Sequence, residues 1–155
     1  MDKGKKILMV CLGNICRSPL AEGIMQSLAR ENQLNWQVDS AGTSNWHVGQ
    51  KPHSGSIKVA RAHGIDISQQ RARHFTANDF QNYDLIYVMD ESNMEDVQKL
   101  ATTERDREKV ILLLKAANMA FNNVPDPYYD QRFEEVYELL SQACQSIIYA
   151  NMAKV

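Results

Sequence analysis

The chain has 155 residues, close to the size of one domain, and a globule of this length buries enough apolar surface to fold without disulfides or metal ions. Its 17 basic and 19 acidic side chains leave a net charge of −2, which excludes a nucleic-acid binder that works by bulk charge. Three cysteines, an odd number, argue against a secreted disulfide framework and favour a reducing, cytoplasmic compartment.

The N-terminal residues predict neither a secretory signal nor a membrane span. Residues 1–6 are mostly charged, but the apolar stretch that follows them is far shorter than either segment requires. No internal repeat or linker divides the rest of the sequence. We therefore expect a single domain over residues 1–155, with no membrane partner.

Strand and helix patterns alternate along the chain. The apolar run at 7–10 does not alternate with polar residues, which is typical of a strand buried on both faces. The predicted elements are a strand at 7–10 ending at Cys11, a helix from Pro19 to about 32 capped by Ser18, a strand at 36–41, a helix from about 54 with a C-cap at Gly64, a strand at 83–89, a helix at 91–100, a strand at 109–114 and a long amphipathic helix at about 132–150.

This alternation predicts an α/β fold with a doubly wound parallel sheet of four strands. In such sheets, ligands bind outside the carboxyl ends of the strands. Four places therefore qualify: the loop from Cys11 onward, residues 39–42, residues 89–91 and the loop after Leu114.

The loop after the first strand carries the most informative pattern, because Cys11 and Arg17 are separated by five residues and a helix begins directly afterwards. Backbone N–H groups of such a loop converge on one centre, and the helix dipole adds partial positive charge there. Gly13 permits a turn with positive φ and a close approach of the backbone. The predicted phosphate-binding residues are Leu12, Gly13, Asn14, Ile15, Cys16 and Arg17.

Cys11 lies where a phosphoryl transfer needs its nucleophile. The field that binds an oxyanion also favours the thiolate of Cys11, and only a thiolate is a good nucleophile. Arg17 offers a bidentate clamp for two phosphate oxygens. A cysteine at the end of a buried strand is more often inert core, but here all parts of an anion site coincide. The glycine motifs of nucleotide-binding and dinucleotide-binding loops are absent from this sequence.

A departing alcohol or phenol needs a proton donor. Strand-end positions leave Asp39, Asp90, Glu91 and Asp126 as candidates. Asp126 lies between two prolines that stiffen its loop, although such a segment is commonly only a turn. The residue pattern alone leaves this choice open.

Residues 10–19 resemble the signature of the low-molecular-weight protein tyrosine phosphatases. The likeness continues in the same order with Asp-Ser-Ala-Gly-Thr at 39–43, Trp-His-Val-Gly at 46–49, Gly-Ile-Asp at 64–66, Arg-Ala-Arg at 71–73, Asp-Phe at 79–80, Met-Asp at 89–90 and Pro-Asp-Pro-Tyr at 125–128. The resemblance covers nearly the whole chain. It implies the phosphotyrosine phosphatase I-like fold, a three-layer α/β/α arrangement around a four-stranded parallel sheet, and hydrolysis of phosphotyrosine and small aryl phosphates.

The resemblance also implies a role for each matching residue. Cys11 corresponds to the nucleophile, Arg17 to the phosphate clamp and Asp126 to the general acid that later acts as base. Asn14 corresponds to a residue that holds the strained shape of the loop through hydrogen bonds. Ser18 corresponds to a hydroxyl that donates to the sulfur, a role compatible with its predicted place as helix N-cap.

Further positions keep two interpretations. In the family, Cys16 can pair reversibly with the nucleophile and protect it from irreversible oxidation; otherwise it is a small loop residue. Trp46 and Tyr128 correspond to the walls of a deep, narrow pocket that selects phosphotyrosine over phosphoserine; otherwise Trp46 is a lid and Tyr128 packs at a rim. Cys144 is expected to be buried filler.

The departures from the family pattern are modest. His53, Gln70 and His74 replace the residues expected there, which puts a peripheral hydrogen-bond network in doubt rather than the chemistry. The four histidines are scattered, with no spacing that suits a metal, so we expect no metal and no cofactor. The expected partners are phosphotyrosine proteins and phosphate or other oxyanions, not nucleic acid, with the chain a monomer or weak dimer.

Three other functions remain as alternatives. A thiol-dependent arsenate reductase of this fold needs two further cysteines near mid-chain, and residues 51–115 contain none. A phosphoarginine phosphatase typically carries Thr where this chain has Ile15. A non-catalytic phosphoprotein-binding module would be expected to lose Cys11 or Asp126, and both are present.

Overall fold

The computed structural model describes residues 4–153. The ends of the predicted domain, residues 1–3 and 154–155, lie outside the described residues. The elements in chain order are β1 (Lys5–Cys11), α1 (Arg17–Glu31), β2 (Trp36–Gly42), α2 (Ser54–Ala62), α3 (Asp79–Asn82), β3 (Leu85–Val88), α4 (Glu91–Gln98), α5 (Glu104–Glu108), β4 (Val110–Leu112), α6 (Leu113–Ala116), α7 (Pro127–Asp130) and α8 (Phe133–Met152).

The four strands form one sheet in the order β2-β1-β3-β4, and every neighbouring pair is parallel. All four carboxyl ends therefore lie at one edge. β2 lies next to β1 on one side, and the chain later returns to add β3 next to β1 on its other side. The order thus reverses at β1, and a doubly wound sheet binds ligands at such a switch point.

The apolar run of β1 is buried on both faces, as predicted. Ile7 and Met9 belong to a core that includes residues of α1, α2 and α8. Leu8 and Val10 belong to a second core on the opposite face, with Phe75, residues of β3 and β4 and Val97 of α4. Alternate side chains of one strand thus reach two separate cores, and the three-layer α/β/α fold is confirmed.

The start of α1 differs from the prediction. Ser18 is the second residue of the helix and not its N-cap; that position belongs to Cys16, whose side chain makes no capping bond. The Ser18 hydroxyl instead contacts Cys11 Sγ and accepts from Asn14 Nδ2. The Ser-Pro pattern located the helix correctly but misplaced its first residue by two positions.

Two strands are shorter than predicted. The predicted strand at 109–114 ends at Leu112, and Leu113 begins α6. A continuous apolar run cannot by itself separate a buried strand from a buried helical turn. The strand predicted at 83–89 is limited to 85–88, and directly before it the Asp84 carboxylate accepts from the backbone N–H of Lys6.

The remaining elements agree with the prediction or add to it. Gly64 follows α2 with a φ of 83°, the left-handed conformation expected of a C-terminal glycine. The short helices α3, α5 and α7 were not predicted. Among residues 4–153, no helix is long and apolar enough to cross a membrane.

Candidate active site

A cavity of about 190 Å³ opens at the carboxyl end of β1. Its lining residues are Cys11, Leu12, Gly13, Ile15, Cys16, Arg17, Trp46, His47, Asp126, Tyr128 and Tyr129. The predicted loop, the predicted carboxylate and the predicted aromatic residues, which come from three distant parts of the sequence, therefore surround one space.

The sulfur of Cys11 lies at the start of the loop and is held by two groups. The backbone N–H of Asn14 donates to Sγ at 3.3 Å, and the Ser18 hydroxyl lies 3.0 Å from Sγ. Both groups can donate to a thiolate, and the Arg17 guanidinium adds positive charge close by. The site is therefore built to hold negative charge on this sulfur.

Asn14 fixes the shape of the loop. Its φ is 56°, in the left-handed region, where a non-glycine residue is strained. Its side-chain amide donates to Ser18 Oγ at 2.8 Å and to Ser40 Oγ at 3.0 Å, and its carbonyl oxygen accepts from the backbone N–H of Arg73 at 3.0 Å. Three bonds, to α1, to β2 and to the segment that contains Arg73, offset the strain.

The predicted positive φ at Gly13 is wrong, because Asn14 adopts it instead. The absence of a side chain at Gly13 still matters: a Cβ there would lie 3.0 Å from Cδ2 of His47. At Gly42, the last residue of β2, a Cβ would lie 2.9 Å from the carbonyl oxygen of Leu12. Both glycines let neighbouring groups close against the loop.

The hydrogen-bond chain continues behind the loop to a carboxylate. Ser40 Oγ donates to Glu22 Oε1 at 2.7 Å, so Glu22, Ser40, Asn14, Ser18 and the sulfur of Cys11 form one continuous series. Burial raises the pKa of Glu22 from 4.5 to about 7, although the bond from Ser40 works in the opposite direction.

Arg17 is almost completely buried and is anchored from behind. Its Nη1 donates to Asp90 Oδ2 at 2.6 Å and to the carbonyl oxygen of Val124 at 3.1 Å, while Nη2 lies 3.6 Å from Asp126 Oδ2. Burial works to lower the pKa of Arg17, but the sulfur of Cys11 and the carboxylate of Asp90 more than offset it, so the pKa is raised. The guanidinium is therefore charged and fixed in direction.

Of the acidic residues within 4–153, Asp126 is the one that lines the cavity. It is the N-cap of α7, where Oδ1 accepts from the backbone N–H of Tyr128 at 3.0 Å and Oδ2 stays near Arg17. Asp90 uses both oxygens, one for Arg17 and one for the backbone N–H of Asn93. Asp39 accepts from the hydroxyl of Tyr83 away from the cavity.

The three cysteines are free thiols in three different environments. Burial, together with the nearby Cys11 and Asp126, raises the pKa of Cys16 to about 12. Burial also raises the pKa of Cys144 to about 12. This thiol lies on the buried face of α8, within the core, as predicted. Cys16 and Cys144 therefore stay protonated at neutral pH, which makes them poor nucleophiles.

Aromatic side chains surround the mouth of the cavity. Trp46, Tyr128 and Tyr129 line it but remain well exposed. Tyr128 contacts the ring of His47 at a centroid distance of 6.4 Å and that of Tyr129 at 5.3 Å. Tyr128 thus packs among other rings at the mouth, while Trp46 and Tyr129 present most of their surface to solvent.

The residues that depart from the family pattern make local contacts. His53 caps α2 by accepting from the N–H of Gly55, and its ring stacks on Phe133 at 4.9 Å. Gln70 donates to the carbonyl of Pro19, and its Oε1 is a buried oxygen without a hydrogen-bond partner. His74 lies 3.1 Å from the carbonyl oxygen of Thr43.

Sequence reasoning missed several residues around the site. Glu22 lies behind the loop, and nothing in its local pattern indicates a connection to Cys11. Ser40 lies within the strand end at 39–42, which the sequence indicated, but no role was assigned to it. His47 and Tyr129 are neighbours of predicted wall residues, and position along the loop could have suggested both. The N-cap role of Asp126 was visible, because Asp followed by Pro is a helix-start signal.

Comparisons with known proteins agree with this geometry. The sequence model of the family described as low molecular weight phosphotyrosine protein phosphatase matches residues 6–155. The chain belongs to this family. Low molecular weight protein-tyrosine-phosphatase YfkJ of Bacillus subtilis is 37% identical over 144 residues, which are 92% of each chain.

Solved structures of family members have the same fold. The crystal structure of YfkJ superposes with a TM-score of 0.92 at 34% identity, covering 98% of this chain and 97% of that one. The tyrosine phosphatase of Entamoeba histolytica with Hepes in its active site gives 0.88 at 34% identity, covering 97% and 99%. Vibrio vulnificus Wzb in complex with benzylphosphonate gives 0.82 at 31%, covering 97% and 99%. This low-molecular-weight phosphatase is thus a hydrolase whose Cys11 and Arg17 occupy the expected loop positions.

Proposed function

We propose that this phosphatase hydrolyses phosphotyrosine in proteins, and small aryl phosphates, through a phosphocysteine intermediate on Cys11. The observation that carries the proposal is the grouping of Cys11 Sγ, the Arg17 guanidinium and the Asp126 carboxylate around one cavity. These are a nucleophile, a clamp for the phosphoryl oxygens and a proton donor, which together are what phosphoryl transfer to a thiolate requires.

In the first step, the Cys11 thiolate attacks phosphorus while loop N–H groups and Arg17 hold the equatorial oxygens. The S–P bond forms and the bond from phosphorus to the phenolic oxygen breaks. Asp126, protonated at that moment, gives its proton to the departing oxygen, so that the leaving group is tyrosine rather than tyrosinate. Arg17 is positioned to hold the equatorial oxygens, because Asp90 and the Val124 carbonyl fix the direction of its guanidinium before substrate binds.

In the second step, a water molecule attacks the phosphocysteine. Asp126, now a carboxylate, accepts a proton from the water, the S–P bond breaks, and inorganic phosphate leaves. The electron pair returns to Cys11, where the Ser18 hydroxyl 3.0 Å away and the N–H of Asn14 stabilise the thiolate as a leaving group. Each residue thereby returns to its starting state.

Asp126 is favoured over the other candidate carboxylates by its surroundings. Asp90 has both oxygens engaged in bonds that hold Arg17 and α4, so a proton transfer from it would break the clamp. Asp126 keeps one oxygen toward the cavity while the other caps α7. The cap orients the carboxylate and leaves it able to exchange a proton.

The aromatic mouth supports an aryl leaving group. Trp46 and Tyr128 offer ring faces at the entrance to a cavity whose floor is the anion loop. A phosphotyrosine can reach from this mouth to Cys11, whereas a phosphoserine places its backbone against the rings. The Hepes held by the Entamoeba relative and the benzylphosphonate held by the Vibrio relative support a site for an anion attached to an organic group.

We further propose that residues 1–155 act as one catalytic domain, as a monomer or weak dimer in the cytoplasm. The family match over residues 6–155 supports the first part. The three free thiols support a reducing compartment. The reversible disulfide between Cys16 and Cys11, which the family resemblance implies, would form in the same compartment during oxidative stress.

A side-by-side assay tests the substrate class. One peptide sequence carries phosphotyrosine, phosphoserine or phosphoarginine, and a fourth reaction supplies arsenate with thioredoxin. The proposal predicts that kcat/KM for phosphotyrosine exceeds the other values by at least about a hundredfold, since pocket shape and leaving group act together. A preference for phosphoarginine, or turnover of arsenate, would overturn it.

A further inference from the structure

Three metal-ligating side chains meet on the face of the molecule where α2 packs against α8. His63 is the C-cap of α2, and Glu134 and Glu138 lie on α8. His63 Nε2 lies 2.9 Å from Glu134 Oε1 and 4.0 Å from Glu138 Oε1. The three ligand atoms all lie within 4.8 Å of one another, and none of these residues lines the cavity of the active site.

The arrangement is a product of the fold. Glu134 and Glu138 are one helical turn apart, so their side chains share one face of α8. His63 is 71 residues from Glu134 in sequence and meets that face only because the two helices pack together. The scattered positions of the histidines in the sequence therefore do not show which side chains surround His63 in the folded chain.

The imidazole of His63 is held in place before any ion binds. Its ring stacks on Tyr137 at a centroid distance of 4.0 Å and an interplanar angle of 14°. Stacking fixes the plane of the ring, and the contact to Glu134 fixes the edge that carries Nε2. The carboxylates remain largely exposed, so they can adjust by a rotamer and an ion can enter from solvent.

The types of donor atom also suit a cation. Glu134 and Glu138 place two carboxylate oxygens beside the imidazole of His63. Imidazole nitrogen and carboxylate oxygen are both ligand atoms that zinc accepts, and three protein ligands leave a fourth position for water.

We propose that His63, Glu134 and Glu138 form a binding site for one divalent transition-metal ion, with Zn²⁺ as the best fit. Two ligand atoms bound to one zinc ion at about 2.1 Å lie roughly 3.4 Å apart in tetrahedral geometry. The two separations from His63 Nε2, 2.9 and 4.0 Å, lie on either side of that value, and the two carboxylate oxygens lie within 4.8 Å of each other, so coordination requires small movements of the carboxylates.

A bound ion would connect the end of α2 to the first turns of α8. The opposite end of α2 contacts the anion loop, since the N–H of His53 donates to the carbonyl of Ile15 and the Ser56 hydroxyl donates to that of Cys16. The ion therefore stabilises the frame that supports the loop and takes no part in the reaction. Because it binds the folded chain, it raises the temperature of unfolding.

Calorimetric titration with Zn²⁺ tests the site. Cysteine sulfur is also a zinc ligand, so the reference protein is Cys11→Ser/Cys16→Ser, which removes the active-site thiols. We expect one equivalent to bind, and His63→Ala or Glu138→Gln to weaken that binding about 10–100-fold. His74→Ala, which removes an exposed histidine elsewhere, is the matched control and should bind as the reference does.

A second measurement needs no substitution. In the wild-type protein, Co²⁺ should broaden the NMR signals of His63 and its neighbours on α8 at sub-stoichiometric concentration, separately from any effect at Cys11. Zinc affinity unchanged by His63→Ala, absence of binding in the reference protein, or Co²⁺ broadening confined to the active site would each overturn the proposal.

Discussion

The two halves of the active site are built in opposite ways. On the phosphate side, Arg17 is only 3% exposed, and Asn14 and Ser18 are as deeply buried, each bonded to fixed partners. On the aromatic side, Trp46 is 67% exposed and Tyr129 is 77% exposed, and the ring of Tyr129 contacts that of Tyr128, which is itself exposed.

This difference separates chemistry from recognition. A buried, fully bonded loop presents the same geometry before and after substrate binds, so its contribution appears in the transition state. An exposed wall orders itself against the substrate, so its contribution appears in binding. Substitutions on the phosphate side should therefore lower kcat, and those on the aromatic side should raise KM.

The largest effect is expected at the nucleophile. Cys11→Ser should abolish turnover of phosphotyrosine, because an alcohol in this position is not ionised. Binding of tungstate, a phosphate mimic that forms no covalent bond to the sulfur, should persist. Steady-state kinetics and a tungstate titration measure both. Cys144→Ala, the removal of a core thiol, is the control that should retain activity. Appreciable turnover by Cys11→Ser would contradict the assignment of Cys11 as the nucleophile.

The next effect concerns the proton donor. Asp126→Asn should lower kcat by about 10²–10⁴ for a phosphotyrosine peptide, and much less for p-nitrophenyl phosphate, whose leaving group needs no proton. Asparagine can still cap α7, so the loss isolates the proton. Asp39→Asn, at another strand end, is the control. Equal losses on both substrates would assign Asp126 a structural role only.

A third prediction tests how much the loop's shape contributes. Asn14→Ala removes three hydrogen bonds and keeps a strained φ, so it should destabilise the fold by about 1–3 kcal/mol and lower kcat. Asn118→Ala is the matched control, because Asn118 has a φ of 58° at an exposed position. Denaturant titration and kinetics on both variants separate backbone strain from the network. Equal effects would mean that the network is dispensable.

The carboxylate behind the loop gives stability a pH dependence. Because burial raises the pKa of Glu22 from 4.5 to about 7, the folded state holds the extra proton between these values, and stability falls as pH rises through that interval. Glu22→Gln keeps an acceptor for Ser40 and should remove this decline, which is at most about 3 kcal/mol. Denaturant titrations from pH 4.5 to 7.5 measure it.

A control for that slope is available on the surface. Glu95→Gln breaks an exposed pair with Lys99 at 3.5 Å and should leave the pH dependence as in the wild type. If Glu22→Gln retains the full decline, Glu22 is not the group responsible, and its connection to the loop through Ser40 has no influence on stability.

The smallest effect is expected at the wall. Trp46→Ala should raise KM for a phosphotyrosine peptide by about 3–10-fold with little change in kcat, because it removes one exposed contact to the ring of the substrate. Phe121→Ala is matched, because Phe121 is also 67% exposed but does not line the cavity. A fall in kcat for Trp46→Ala would show that the aromatic side acts in the transition state as well.

The same division explains what the sequence could predict. The strand of β1, the anion loop and the start of α1 follow from local patterns, and the loop residues come together because they are adjacent in the chain. Asp126 and Trp46 were assigned through the family resemblance, since nothing local shows that residues on two other segments of the chain line the same cavity as Cys11.

What sequence reasoning could not predict depends on packing. The transfer of the positive φ from Gly13 to Asn14 follows from bonds to Ser40 and Arg73, which lie on other segments. The shortening of the last strand follows from Leu113, whose apolar side chain fits a helical turn as well as a strand. In the first case, distant partners decided between two locally acceptable conformations; in the second, the apolar run itself is compatible with both.

The central claim is that the phosphoryl group is transferred to Cys11 within a preformed loop, and one trapping experiment tests it most directly. The enzyme is mixed with a phosphotyrosine peptide, quenched within milliseconds and digested, and the fragment containing residues 11–17 is sequenced by mass spectrometry. We predict one phosphoryl group on the sulfur of Cys11, enriched in Asp126→Ala when the substrate has a good leaving group. A phosphoryl group on Cys16, or full turnover without any labelled cysteine, would contradict the account.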